Sequence, residues 1–318
     1  MLARVAENVY WLSRYLERAV NTVRIVNVHS NLLMDLPAID DHDGWIPLIA
    51  INGLDEEFTA THSRANEQTV CHFLLADKEN TSSLLSAFMA ISNNLRSCRD
   101  VMPKDSYEAI NGLCRFVIEN IDSNHRQPAL RQSFLRTIEN RLLSIDASLN
   151  NGMCHNLGYV IMRIGCYLER ADMTSRIIDV QSTRLSLNSS TSEIMAIQAQ
   201  RWVSVLRSLS AHQMYRQHIR RPVNGPDTLA FLLTNKQLPR SYNFCLEHLD
   251  GCLAKMKNNT EPRNAITTLQ HQLEQADLPN LARNPIELHN FLDELQLGML
   301  NVGAAITATY FTPAQESA

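Results

Sequence analysis

Glutamate followed at once by arginine occurs twice in this chain inside the same run, "YLERAVNTVRIVNV" at 15–28 and "YLERADMTSRIIDV" at 167–180, with nine of fourteen positions identical. A carboxylate in such a pair can act as acid, base or ammonium acceptor. A guanidinium can clamp a carboxylate or phosphate through two parallel hydrogen bonds. The recurring set is Glu17, Arg18 and Arg24, matched by Glu169, Arg170 and Arg176. On a helix, Glu17 shares a stripe with Tyr10, Arg14, Asn21 and Arg24, and Arg18 sits one step round.

Three readings fit this stripe. The first is a solvated face whose ion pairs contribute roughly 0.2–0.5 kcal/mol each. The second is a buried network in which Glu17 and Glu169 accept from arginines across the junction of two copies, fixing register more than adding stability. The third is a polar cavity for a charged ligand, with Glu17 and Glu169 as the candidate catalytic groups. A solvated face tolerates exchange, and Val20, Asn21, Val23 and Asn27 do differ from Asp172, Met173, Ser175 and Asp179. Yet the Glu, the Thr and both arginines recur together.

The copies are also unequal. Arg14 is matched by Cys166 and Asn21 by Met173, so one stripe is the more polar. Candidates to join the same network or cavity are Arg96 and Arg99 in "NNLRSCRDVM", Arg163, Asp172, and Arg240 in "LPRS". The ordinary reading of Arg96 and Arg99 is a helix C-terminus, where cations meet the macrodipole favourably. Arg240 falls at a helix N-terminus, where a cation is disfavoured, and so suits a nearby acid or anion.

Long helices must carry these residues. Leu2, Val5, Val9, Leu12, Leu16, Ala19, Val23 and Val26 recur with a period of 3.5, the pattern of a helix from Leu2 to about Asp35. Such a helix is roughly 50 Å long, and Pro37 and "DDHDG" at 40–44 end it. The second copy runs from about His155 to Leu187. Helices are further expected over Trp45–Asn52, Glu56–Ser63, Glu67–Ala76, Ser82–Met102, Asp105–Asn124 and Pro128–Gly152 in the first part. Beyond the second copy they fall at Thr191–Arg220, Pro226–Leu233, Arg240–Lys257, Pro262–Ala276 and Pro285–Tyr310. A second matched segment, "HFLLADKENTSSL" at 72–84 with "AFLLTNKQLPRSY" at 230–242, keeps the same order. The spacing predicts an all-α fold, a duplicated multi-helix bundle with a pseudo-two-fold internal repeat. Its halves, 1–152 and 153–318, form one compact unit.

Composition narrows the function. The chain has 318 residues, 45% apolar and 19% charged, with 29 Lys and Arg against 33 Asp and Glu. No basic stripe points to nucleic acid, and no apolar run is long enough for a membrane span. The N-terminus lacks the apolar core of a signal peptide. Seven scattered cysteines without a CxxC pair suit reduced, mostly buried thiols in a cytoplasmic protein. Cys154–His155 lacks the apposition a catalytic dyad needs. Cys245, His248 and Cys252 share a helical face but need a fourth ligand for zinc. No phosphate-binding glycine loop, GxSxG or HExxH occurs. No metal and no cofactor is expected.

The run "MLARVAENVYWLSRYLERAVNT", followed by "NLLMDLP", "FLLADKENTSSL" and "NNLRSCRDVM", resembles the alpha-E family of bacterial helical domains, named for its Glu-Arg motif. "CYLERADMT" and "FLLTNKQLPRS" in the second half fit it as well. The resemblance implies genomic association with circularly permuted ATP-grasp enzymes and transglutaminase-like proteases. It thereby implies an accessory or partner protein of an amide-ligase or protease system, with a peptide or amino-acid ligand. The alternative is an enzyme acting on such substrates through a Glu/Arg cavity; a homo-oligomeric scaffold is a third. The resemblance transfers no activity. Where family members resemble "GRYLERA", this chain reads "GCYLERA", so Cys166 replaces an arginine.

Overall fold

The first helix has no solvent face along its middle: every residue from Ala19 to Val26 is buried, polar and apolar alike. That pattern marks a central helix wrapped on all sides, and it overturns the solvated-face reading of the Glu-Arg stripe. The computed structural model describes residues 2–35, 41–183 and 192–312, all in helices and connecting turns, with no strand among them. The expected helix end at Pro37, the start at Thr191 and the segment 184–187 lie outside the described residues.

The helices are α1 (Ala3–Asp35), α2 (Asp41–Asn52), α3 (Asp55–Thr61), α4 (Glu67–Leu75), α5 (Leu84–Leu95), α6 (Lys104–Asn124), α7 (Pro128–Gly152) and α8 (Leu157–Thr183), followed by α9 (Ser192–Ser208), α10 (His212–Ile219), α11 (Gly225–Thr234), α12 (Tyr242–Leu253), α13 (Thr260–Gln275), α14 (Leu278–Leu281) and α15 (Pro285–Tyr310). The two Glu-Arg helices, α1 and α8, pack along each other at the centre. Around α1 lie α5, α7 and α9; around α8 lie α12 and α15, with α13 on the outside of α15.

The central contact is close because of one glycine. A Cβ on Gly165 would stand 2.5 Å from the Tyr10 carbonyl oxygen and 3.3 Å from Ser13 Cβ. Ser13 in turn donates to the Met162 carbonyl at 2.5 Å. Ser13 and Gly165 each lie two residues before the Tyr of "YLERA". The helices therefore cross at matching positions, and each glutamate falls next to the other helix.

The matched "FLL" segments also have like local structure. Each ends a short helix and leads into a serine-capped one: Ser83 Oγ accepts from Ser86 N and Ser241 Oγ from Phe244 N, both at 3.1 Å. Pro128 and Pro285 open their helices and Pro226 follows Gly225, where the missing N–H costs nothing.

Three expected helices end differently. The Arg240–Lys257 helix stops at Leu253, where Lys255 N and Met256 N turn back to Cys252 and Leu253. The Ser82–Met102 helix stops at Leu95, because Ser97 N and Cys98 N turn back to Asn94 and Leu95 and carry Cys98 into the core. The Thr191–Arg220 helix is two, α9 and α10, broken at Ser210, whose φ of 52° is left-handed. That break buries Leu209 and Ala211.

Candidate functional site

Because α1 and α8 cross at matching positions, their glutamates exchange arginines. Arg170 Nη2 and Nε donate to the two oxygens of Glu17 at 2.8 and 3.1 Å. Reciprocally, Arg18 Nε and Nη2 donate to Glu169 at 2.6 and 3.2 Å. Each carboxylate thus receives a bidentate fork from the opposite helix. Each then takes a second cation. For Glu169 it is Arg14, at 2.8 Å. For Glu17 it is Arg240, at 2.9 Å, reaching in from the turn before α12. Position 166, the counterpart of Arg14, is a cysteine whose thiol lies 3.4 Å from Glu17. Position 82, the counterpart of Arg240, is a serine. The second arginine thus comes from the opposite helix for Glu169 and from a turn for Glu17, and each glutamate has two.

Burial would raise the pKa of both carboxyls, but the arginines outweigh it. Arg170 and Arg240 hold Glu17 far below the ordinary carboxylate range, and Arg18 and Arg14 lower Glu169. Glu17 is 6% and Glu169 1% exposed. Desolvation, relieved by Glu17 but reinforced by Arg170 and Arg24, brings Arg240 down to about 10. A carboxylate that stays ionised with its lone pairs occupied is a poor proton acceptor near neutral pH. The arrangement can hold two helices in register; it leaves neither glutamate open for acid–base work.

The rest of the stripe is placed less symmetrically. Arg24 pairs with Glu139 of α7 at 2.8 Å, whereas Arg176 pairs with Asp172 on its own helix at 2.9 Å. Asn21 accepts from Arg240 at 2.8 Å. Asn21 Nδ2, Arg24 Nη1 and Asp172 Oδ1 are buried without a hydrogen-bond partner among the described residues. Burial raises the Asp172 pKa against the opposing effect of Arg176. Arg163 reaches Asp146 of α7 at 3.1 Å and lies 4.6 Å from the Tyr167 ring centre. Arg96 and Arg99 stand exposed after α5 and do not join this set. Glu139 and Asp146 escaped the sequence reading; their one signal is seven-residue spacing, which puts two acids on one face of an amphipathic helix.

The other candidates separate. Cys154 is exposed, and His155 stacks on Tyr159 with ring centres 3.9 Å apart. Cys245 points into the core while His248 is exposed and stacks on Phe244, so the Cys-His-Cys face does not converge. Burial pushes the Cys71, Cys98, Cys114 and Cys245 thiols up to about 12, which suppresses the reactive thiolate.

Two spaces adjoin the network. On the Glu17 side a cavity of about 40 Å³ is lined by Ser13, Glu17, Asp146, Arg163 and Cys166 with leucines and Met162. It has room for a few waters and none for an amino acid. On the Glu169 side a groove of about 400 Å³ runs between α1, α8 and α15, lined by Trp11, Arg14, Leu168, Asp172, Leu300 and Gly303 among others. Arg14 Nη2 has no hydrogen-bond partner among the described residues; Nε and Nη1 go to Glu169 and Tyr10.

The reciprocal Glu-Arg pair is also what comparison with known families picks out. Residues 1–311 match the model of the Alpha-E family, described as a predicted alpha-helical domain with a conserved ER motif. The chain belongs to the Alpha-E family. No curated protein and no solved structure gives a significant match. For this Alpha-E chain, the two Glu-Arg pairs join α1 to α8, with Glu17, Glu169 and Arg170 buried and Arg18 partly exposed. No helix among the described residues is long and apolar enough to cross a membrane.

Proposed function

We propose that this chain is a non-catalytic accessory protein that binds a peptide or amino-acid ligand in the groove between α1, α8 and α15. It would act in the cytoplasm beside an ATP-grasp amide ligase or a transglutaminase-like protease. The single observation that carries the reading is the division of labour around Arg14. Its Nε helps to neutralise Glu169, while the same residue lines the groove with its guanidinium beside the Trp11 ring. A guanidinium edge beside Trp11, with Asp172 on the same lining, suits a ligand bearing a carboxylate and an ammonium group. The closed state of Glu17 and Glu169 supports the non-catalytic side of the proposal, since neither is placed to exchange a proton. A duplicated bundle, with 1–152 and 153–318 joined as one unit, accounts for the reciprocal pairs and the matching serine caps. In this reading one copy kept its arginine on the helix, beside the groove, and the other drew it from a turn.

Ala304 lies exposed on the groove lining, so Ala304→Trp fills the groove from its rim without entering the core. Calorimetric titration with a dipeptide panel is expected to show binding to the parent chain and none to Ala304→Trp at unchanged melting temperature. The partner role is checked by adding the chain to a circularly permuted ATP-grasp ligase and to a transglutaminase-like protease and following their turnover. Binding that ignores the plug, or partner turnover indifferent to the chain, overturns the respective half of the proposal.

A further inference from the structure

Far from the Glu-Arg network, two histidines that stand 53 positions apart in sequence meet ring to ring. His72 Nδ1 and His125 Nε2 lie 3.2 Å apart, with ring centres 5.2 Å apart. His72 is exposed on α4, and His125 is the buried cap residue at the end of α6. Both line a pocket of about 440 Å³, together with His62, Gln68, Thr69 and Arg126. His125 Nδ1 lies 2.9 Å from the Ile121 carbonyl. A carbonyl only accepts, so that nitrogen carries the proton and Nε2 presents a lone pair toward His72. The Arg131 guanidinium donates to the His125 carbonyl at 3.1 Å and to Glu67, fixing the backbone from the other side.

We propose that His72 and His125 form a binding site for a divalent transition-metal ion, zinc or a metal of similar preference, with its remaining positions open to the pocket. As the rings stand, His72 Nδ1–H donates to the His125 Nε2 lone pair, and an ion that replaces this proton would find its two ligands already at the right spacing. Nitrogens about 2.0–2.1 Å from a tetrahedral zinc lie roughly 3.3 Å from each other. The Nδ1–H bond to a backbone carbonyl is the outer-shell contact that orients metal-binding histidines and fixes the tautomer. Imidazole nitrogen favours zinc, copper and nickel over magnesium or calcium. His72 needs only to carry its proton on Nε2 for both lone pairs to face the same point. The ion would tie α4 to the C-terminal end of α6, and water or a ligand donor would complete its shell from the pocket. The pocket's own cation, Arg126, is exposed and works against the ion by simple repulsion.

A second cluster, Asp179, His289 and Asp293, also brings ligand-type atoms together. There Asp179 lies 2.7 Å from Nδ1 and Asp293 3.6 Å from Nε2 of the same ring. Carboxylates at opposite nitrogens suit an imidazolium rather than one shared ion. This cluster supplies the control.

The test is calorimetric titration of the full chain with Zn²⁺ in a non-chelating buffer, repeated with Mg²⁺ and with the variants His72→Ala and His289→Ala. Expected is one zinc equivalent bound by the parent chain and by His289→Ala, with no binding of Mg²⁺. His72→Ala, exposed and therefore harmless to the fold, should weaken zinc binding by more than about the 10–100-fold that loss of an outer-shell partner costs. Zinc should also raise the melting temperature of the parent and not of His72→Ala. No stoichiometric zinc binding, or binding lost in His289→Ala and kept in His72→Ala, overturns the proposal.

Discussion

Glu17 and Glu169 each sit in the core between two guanidiniums, and this pairing decides what substitution does. Replacing Glu17 by glutamine leaves the buried Arg170 and Arg240 uncompensated, and replacing Glu169 leaves the partly buried Arg14 and Arg18 so. Glu17→Gln and Glu169→Gln are each expected to lower the unfolding free energy by about 3–5 kcal/mol, read from urea denaturation. The same groups set the acid limit. Their folded pKa values lie below the ordinary 4.5, so their contribution is fully present above 4.5 and is lost as pH falls through the folded values. The denaturation midpoint should therefore decline below pH 4.5, and less steeply in the double glutamine variant. The exchanged arginine gives a sharper test. Cys166→Arg crowds a third guanidinium onto Glu17, and Arg240→Ser removes one; both should destabilise. Combined, they rebuild the arrangement seen at Arg14 and Ser82, and a double-mutant cycle should show favourable coupling of about 0.5–3 kcal/mol. Simple additivity would mean that Arg240 and position 166 do not serve the same carboxylate.

Among the helices, the α1–α8 crossing is the contact most sensitive to side-chain size. Gly165→Ala places a methyl against the Tyr10 carbonyl oxygen at 2.5 Å, within two rigid central helices, and should cost about 1–3 kcal/mol. Gly303→Ala on α15 meets Leu168 at an ordinary 3.5 Å and should leave stability nearly unchanged. Comparing the two by thermal melting separates close approach from the general effect of removing a helical glycine. Most helix ends were legible in sequence where a proline or serine marks them, as at Pro128, Pro285 and the stop at Gly152. The breaks after Leu95 and at Ser210 were not legible. Neither carries a proline or glycine, and each occurs because turning the chain there buries an apolar residue, Cys98 or Leu209 and Ala211.

At the scale of the whole molecule, the C-terminal helix closes the bundle. α15 returns to the centre, where Tyr242 donates to the Leu295 carbonyl at 3.1 Å, Tyr10 meets Phe311 with ring centres 5.2 Å apart, and His289 pairs with Asp179 of α8. It also supplies one wall of the groove. A chain ending at Asn284 would lose Leu288, Leu292, Leu295 and Met299, all buried residues of α15, and uncover the apolar surfaces against which they pack. That truncation is expected to aggregate on expression, and size-exclusion chromatography of the soluble fraction would show it.

The amino-acid sequence by itself determined that the chain is helical, that a Glu-Arg helix occurs twice, and that the carboxylates and arginines of that helix are the residues to watch. Period, caps and internal repetition are local properties and survive in one dimension. Only the tertiary structure decided which arginine serves which glutamate. Arg18 and Arg170 donate across the crossing rather than along their own helix, and Arg240 arrives from a turn 223 positions after Glu17. The physical reason is burial: away from water a carboxylate must be matched by whatever cations the packing brings within hydrogen-bond reach, and packing is not written in sequence spacing. The meeting of His72 with His125 has the same origin, and so does the difference between a closed Glu17 and an Arg14 that borders open space.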